Sequence, residues 1–212
     1  MQHWLSVVTN RQRFDLSPSE LIRRIYWLAA AGVDLVQIRE RDLSDRELTR
    51  LVRNAVAATR GTPARVVVND RADVALAADA AGVHLREDSS SAARVRAFVP
   101  PGFLIGCSIH DSSRAWDSSA CDYLLFGTVF PSSSKPAGHT AAGLEPLRDA
   151  CAAANCPVLG IGGVTADSAR DVVRAGAAGV AAIASLLSVT SEAEARDVVA
   201  GFRRAFAAAD RE

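Results

Sequence analysis

The sequence lacks a charge excess of either sign: 24 Lys and Arg residues balance 24 Asp and Glu residues. A general nucleic-acid binder shows a basic surplus, so no nucleic-acid partner is expected. Neutrality still allows a local positive pocket for one anionic ligand. No charge-free apolar run reaches the length that spans a bilayer, so no membrane association is expected. The N-terminal stretch MQHWLSVVTNRQRF has neither the apolar centre nor the cleavage pattern of a secretory signal. The four cysteines, Cys107, Cys121, Cys151 and Cys156, form no CxxC pair, and the histidines do not cluster around them. That argues against zinc and for reduced thiols in a cytoplasmic protein. Glycine is also missing from Val8-Thr9-Asn10-Arg11, after the first apolar run. An open doubly wound sheet would carry its GxGxxG dinucleotide fingerprint there.

What is present is a regular alternation. Eight short apolar runs occur at Trp4–Val8, Leu35–Ile38, Arg65–Val68, Gly82–Leu85, Phe103–Cys107, Tyr123–Phe126, Val158–Ile161 and Gly179–Ile183. Consecutive apolar positions suit parallel strands buried on both faces. Helix signals lie between them. Ser17-Pro18-Ser19-Glu20 reads as an N-cap, a proline in the first turn and a capping-box glutamate. Ser44 with Glu47, and Ser191 with Glu194, repeat the box. Gly32, Gly82, Gly176 and Gly179 are expected to stop helices before strands. Eight strands, each followed by a helix, predict one α/β domain over residues 1–212, a (β/α)8 TIM barrel.

Barrel enzymes place their sites just after the strands, and unusual polar residues collect there. After the second run, alternation puts Gln37, Arg39 and Arg41 on one side and Ile38 on the other. Two guanidinium groups aimed at one mouth repel unless they hold an anion, and arginine suits forked contacts with phosphate. The alternative is a surface ion-pair ladder with Glu40, Asp42 and Asp45. After the third run, Asn69-Asp70 suits Mg2+, which wants hard oxygen ligands and keeps several waters; equally, Asp70 would cap a helix from Arg71 to Ala78. After the fourth, Asp88 would join Asp70 around the metal, while Ser89 to Ser91 would serve as caps for a helix through Val95. Ser108 and His110 follow the fifth run. The longest connection, Phe130 to Thr140, follows the sixth; it has the length of a lid or binding loop, and equally reads as a disordered polar loop. After the last two runs come Gly162-Gly163 and Ser185. Glycines there let backbone N–H groups approach a phosphate, and a helix N-terminus favours the anion by roughly 0.3–1 kcal/mol.

The segments VQIRERD, VVVNDRADVALA, AGVHL, IGCSIHD, DYLLFGTVFPSSSKP, GLEPL, PVLGIGGVT and AGAAGVAAIAS resemble the thiamine-phosphate synthase and thiazole tautomerase family along nearly the whole chain. For a synthase, the resemblance implies joining aminomethylpyrimidine diphosphate to hydroxyethylthiazole phosphate, giving thiamine phosphate and diphosphate, with Mg2+ on the diphosphate. It implies that Gln37, Arg39 and Arg41 contact the pyrimidine diphosphate, that Asn69 contacts the diphosphate and that Asp70 ligates the metal. Ser108 would sit at the reacting centre, and Ser132, Ser134 and Lys135 would close over the substrates. Gly162, Gly163 and Ser185 would hold the thiazole phosphate. Arg39, Ser108 and Lys135 are the catalytic candidates.

Three positions depart from the synthase pattern. Arg41 stands where lysine is usual, Ser89 aligns with the second metal-ligand aspartate, one place beyond Asp88, and the lid hydroxyls are serines. The tautomerase branch shares the arginine and lacks that second aspartate, but its proton-transferring histidine is Thr128 here, and threonine is a poor base. A phosphate-ligand-binding relative without turnover is the third reading. Homo-oligomerisation is compatible with all three.

Overall fold

The computed structural model describes residues 3–115, 118–132, 138 and 140–211. Eight parallel strands close into a barrel in chain order: β1 (Trp4–Val8), β2 (Leu35–Ile38), β3 (Arg65–Asn69), β4 (Gly82–Leu85), β5 (Leu104–Ile109), β6 (Tyr123–Gly127), β7 (Val158–Ile161) and β8 (Gly179–Ala182). Closure comes from β1 against β8, with Trp4 opposite Gly179 and Val7 opposite Ala182. The principal outer helices are α1 (Pro18–Ala31), α2 (Asp45–Ala58), α5 (Leu144–Ala153), α6 (Ala166–Arg174) and α8 (Glu192–Ala209), with short turns α3 (Ala72–Ala77), α4 (Ala92–Arg96) and α7 (Ala184–Leu187). Among the described residues no helix is long and apolar enough to cross a membrane.

Strand alternation divides the apolar residues into two cores. One set points inward and fills the barrel: Leu35, Val67, Leu104, Tyr123, Leu125 and Leu159. The neighbours between them, such as Val36, Val66, Val68 and Ile105, point outward against the helices. Burial on both faces explains the unbroken apolar runs. Arg203 of α8 ties the bottom of the barrel together. It donates to the carbonyls of His3 (2.6 Å) and Gly32 (2.5 Å) and to Asp34 (2.7 Å), which accepts the Leu5 N–H.

The capping boxes at Ser17/Glu20 and Ser44/Glu47 are both complete. At α8, Ser191 accepts the Glu194 N–H, but the Glu194 carboxylate turns to the Thr190 N–H (2.7 Å) instead. Three expectations differ from the structure. Gly82 and Gly179 are strand residues, not helix stops: a Cβ at either would lie 2.2 Å from the Leu104 carbonyl oxygen or 2.0 Å from that of Trp4. Glycine is there for close strand approach. Between β5 and β6 the described residues hold only a 3-10 turn, Ser112–Arg114, in place of a full helix. Asp70 does not cap α3, whose N-cap is Arg71; its backbone is left-handed, with φ 60°.

Candidate active site

A cavity of about 810 Å³ opens at the C-terminal ends of the strands. The alternation that buries Ile38 outside the barrel turns Gln37, Arg39 and Arg41 toward it. The acids beside them have other partners. Glu40 is buried, and both its oxygens accept the Arg11 N–H at 3.1 Å. Burial lifts its carboxyl above the usual range, against hydrogen bonds from Thr9 and Arg11. Asp42 binds the Arg11 guanidinium, and Asp45 binds Arg71 at 2.5 Å. Neither Arg39 nor Arg41 forms an ion pair among the described residues, so no surface ladder neutralises them. The Arg39 N–H is held by Thr9 Oγ1 at 2.9 Å. Burial, and then the nearby Arg41 and Arg86 charges, press the Arg39 guanidinium below its usual pKa, with Glu40 opposing. Arg39 and Arg41 therefore face the cavity without an ion-pair partner, while the carboxylates that line it nearby, Glu87 and Asp88, follow β4.

The floor is a chain of polar groups inside the barrel. Register sets His84 of β4 beside Asn69 of β3 and Gly106 of β5. His84 Nδ1 lies 3.1 Å from the Tyr123 hydroxyl and Nε2 lies 2.8 Å from Ser108 Oγ. Full burial, then the Arg39 charge, pushes the His84 pKa down to about 3, so the ring is neutral near pH 7. A neutral imidazole donates through one nitrogen and accepts through the other, so it links the orientations of the two hydroxyls. Tyr123 fits because β5 has glycine at 106; a Cβ there would be 2.1 Å from the phenol ring. Gln37 donates to Asn69 Oδ1 at 3.1 Å, while its own carboxamide oxygen is buried without a partner. An unpaired buried acceptor is costly, and this one lies on a cavity-lining residue. His84 and Tyr123 were not among the expected site residues. Only the AGVHL motif hinted at His84, and pairing it with Ser108 requires the strand register.

The opposite wall is main chain. Gly162 and Gly163 have φ 98° and 65°, and a Cβ on them would come within 2.4 Å of Thr128 and 2.5 Å of the Pro131 carbonyl oxygen. Both conformation and space demand glycine. Ser185, at the start of α7, donates to the Val164 carbonyl at 2.6 Å, joining the two loops. Ser132 also lines the cavity. Ser134, Lys135 and His139 lie outside the described residues.

The chain matches the thiamine monophosphate synthase family model over residues 5–186. The chain belongs to that family. A thiamine-phosphate synthase of Chlorobium luteolum is 36% identical, with 90% of this chain and 88% of that protein aligned. One from Moorella thermoacetica is 37% identical over 82% and 81% of the two chains. The solved thiamine phosphate pyrophosphorylase from Pyrococcus furiosus superposes with TM-score 0.82 at 28% identity, covering 98% of this chain and 97% of that one.

The family's Mg2+ was expected at Asp70 and Asp88. Asp88 lines the cavity and Asp70 is not among its lining residues; Asp70 Oδ1 accepts the Ser89 hydroxyl and Oδ2 is 3.8 Å from Arg86 Nη1. The Asp88 carboxylate pairs with Arg86 Nη2. One guanidinium thus lies between the two aspartates. No three His, Cys, Asp or Glu side chains converge on a metal position among the described residues. This set fits an ion held mainly by ligand phosphoryl oxygens with Asp70 as its one carboxylate. It does not fit a two-aspartate site while Arg86 stays where it is. Ser89 is not the cap of α4, whose N-cap is Ser91: its hydroxyl accepts the Arg86 N–H (3.0 Å) and donates to Asp70.

Proposed function

We propose that this family member is a thiamine-phosphate synthase that couples aminomethylpyrimidine diphosphate with hydroxyethylthiazole phosphate, releasing diphosphate, in the cytoplasm. The observation that carries the reading is one cavity with guanidinium groups on one wall, glycine backbone on the other and an unpartnered carboxamide oxygen at the floor. The names of its curated relatives support it. The diphosphate is assigned to Arg39, Arg41 and Asn69, and the thiazole phosphate to Gly162, Gly163 and Ser185. The exocyclic amino group of the pyrimidine would donate to Gln37 Oε1 and relieve its unpaired state.

The C–O bond to diphosphate breaks and the electron pair leaves with the diphosphate. The benzylic-type carbon then takes its new bond from the thiazole nitrogen. No protein nucleophile is needed; fixed donors must neutralise the departing charge and hold the nitrogen in line. When bound at Asp70, Mg2+ would supply further charge to the leaving group. Arg39 meets the developing charge directly. Ser108, oriented through His84 and Tyr123, presents its hydroxyl beside the reacting carbon. Ser132, Ser134 and Lys135 would close over the pair and exclude water. A tautomerase reading lacks its proton carrier, because the residue at that position is Thr128, which faces the cavity.

Purified protein incubated with both substrates and Mg2+ is expected to form thiamine phosphate, followed by chromatography. Absence of product under every metal condition overturns the reading, and tight thiazole phosphate binding without product would leave a binding protein. Asp70→Asn is expected to lower turnover at limiting Mg2+; an unchanged Mg2+ dependence would remove Asp70 from the metal.

A further inference from the structure

We propose that Arg86 is a diphosphate-binding residue, a built-in cation that leaves Asp70 and Asp88 for the leaving group and lowers the Mg2+ concentration the site requires. This rests on the synthase reading of the same cavity.

Three observations carry it. First, Arg86 follows β4 two residues after His84, so alternation aims it inward, and it lines the cavity with Arg39, Asn69 and Ser108. Its charge is close enough to be felt at Arg39. Second, its guanidinium bridges the two carboxylates expected to hold metal, with its backbone N–H fixed by Ser89. A planar monovalent cation therefore occupies ground where the family pattern puts a dication and a second aspartate. Third, that clamp is loosely held. The Arg86 and Asp88 side chains are 40% and 68% exposed, and exposed ion pairs contribute little.

Like charges then decide the movement. Mg2+ arriving at Asp70 would stand within a few ångströms of the Arg86 guanidinium and repel it. The neighbouring Glu87 carboxylate is engaged by His110 and Arg114, so a diphosphate bound in the cavity would receive the fork, its geometry matching a bidentate guanidinium. Without metal, Arg86 can make the same contact, joining Arg39 and Arg41 in a three-arginine cradle.

Calorimetry with inorganic diphosphate tests this on the wild type, Arg86→Gln and Asp88→Asn, each in EDTA and in saturating Mg2+, after thermal melts establish that the variants fold. The wild type is expected to bind in EDTA. Arg86→Gln should weaken that binding about tenfold or more, the scale of a lost charge-assisted hydrogen bond. It should also raise the Mg2+ concentration at half-saturation, while the difference narrows in saturating Mg2+. Asp88→Asn should tighten binding in EDTA, because it removes the competitor for Arg86; this variant stands alone should Arg86→Gln fail to fold. Equal affinities of wild type and Arg86→Gln in EDTA, or binding by the wild type only with Mg2+, would overturn the role of Arg86 and leave the synthase reading intact. So would an Asp88→Asn protein whose Mg2+-dependent binding collapses, since Asp88 would then be a metal ligand. A wild type that binds no diphosphate in either condition overturns the synthase reading, and this inference with it.

Discussion

The β2–β4 side of the cavity and the β7–β8 side differ in what faces the ligand. On the first side three long cationic side chains, Arg39, Arg41 and Arg86, stand beside the neutral Gln37, Asn69 and His84, with Glu87 and Asp88 at the β4 end. On the second, the described lining residues carry no charge, and the polar surface comes from the main chain at Gly162 and Gly163 with Thr165 and Ser185 beside it, the Ser185 hydroxyl proton being spent on the Val164 carbonyl. Side-chain cations reach a multiply charged group over a range of positions and weaken with salt. Main-chain donors are fixed in place and tolerate no extra atom, as the collisions at 162 and 163 demonstrate. The first wall suits a leaving group that must move away; the second suits a phosphate that serves as an anchor.

The largest effect expected from this contrast is on the cationic wall. Arg39→Ala should lower kcat/KM by roughly a hundredfold to a thousandfold, on the order of 3 kcal/mol in barrier, the usual loss for a donor that meets developing charge. The KM for thiazole phosphate should hardly move in the same steady-state experiment. A loss confined to that KM would place Arg39 at the wrong end of the cavity.

Beneath both walls, His84 gives an effect of intermediate size that is read in stability. Its folded pKa, about 3, lies below the ordinary histidine value of 6.5, so the folded state resists a proton that the unfolded chain accepts. The stabilisation is whole above about pH 6.5 and shrinks as pH falls toward 3. Between pH 7 and 5 this one group should cost about 2 kcal/mol in urea unfolding. His84→Gln should flatten that slope. An unaltered slope would mean that His84 takes up its proton over the same pH range folded and unfolded, and the Tyr123–His84–Ser108 chain would not hold the ring neutral.

The smallest effect is on the glycine wall. Gly163→Ala puts a Cβ against Pro131 at a positive φ, a strain of about 1–3 kcal/mol. The KM for thiazole phosphate should rise about tenfold, the lower half of that range, with the pyrimidine diphosphate KM nearly constant. If both KM values rise together, the two walls do not act separately.

The barrel itself was legible because its strands are apolar on both faces and two helix starts carry complete capping boxes. Gln37, Arg39 and Arg41 could be assigned to one face by simple alternation. What escaped depends on neighbours far away in sequence. The contact of His84 with Ser108 needs the β4–β5 register, and the fit of Tyr123 needs Gly106 across from it. The spacing around Asp70 and Asp88 suggested shared ligation of a metal, but it could not reveal that Arg86, two residues before Asp88, reaches both carboxylates first. Gly82 and Gly179 looked like helix stops because a strand-to-strand collision leaves no local signature.

The hydrogen in place of a side chain at Gly106 has a consequence for the reacting end of the cavity. It leaves room for the phenol of Tyr123 inside the barrel, where its hydroxyl meets His84 Nδ1 at 3.1 Å. A methyl group at 106 would displace the phenol and detach it from His84. The Ser108 hydroxyl, 2.8 Å from the other ring nitrogen, would then lose the distant partner that fixes which way the imidazole proton points.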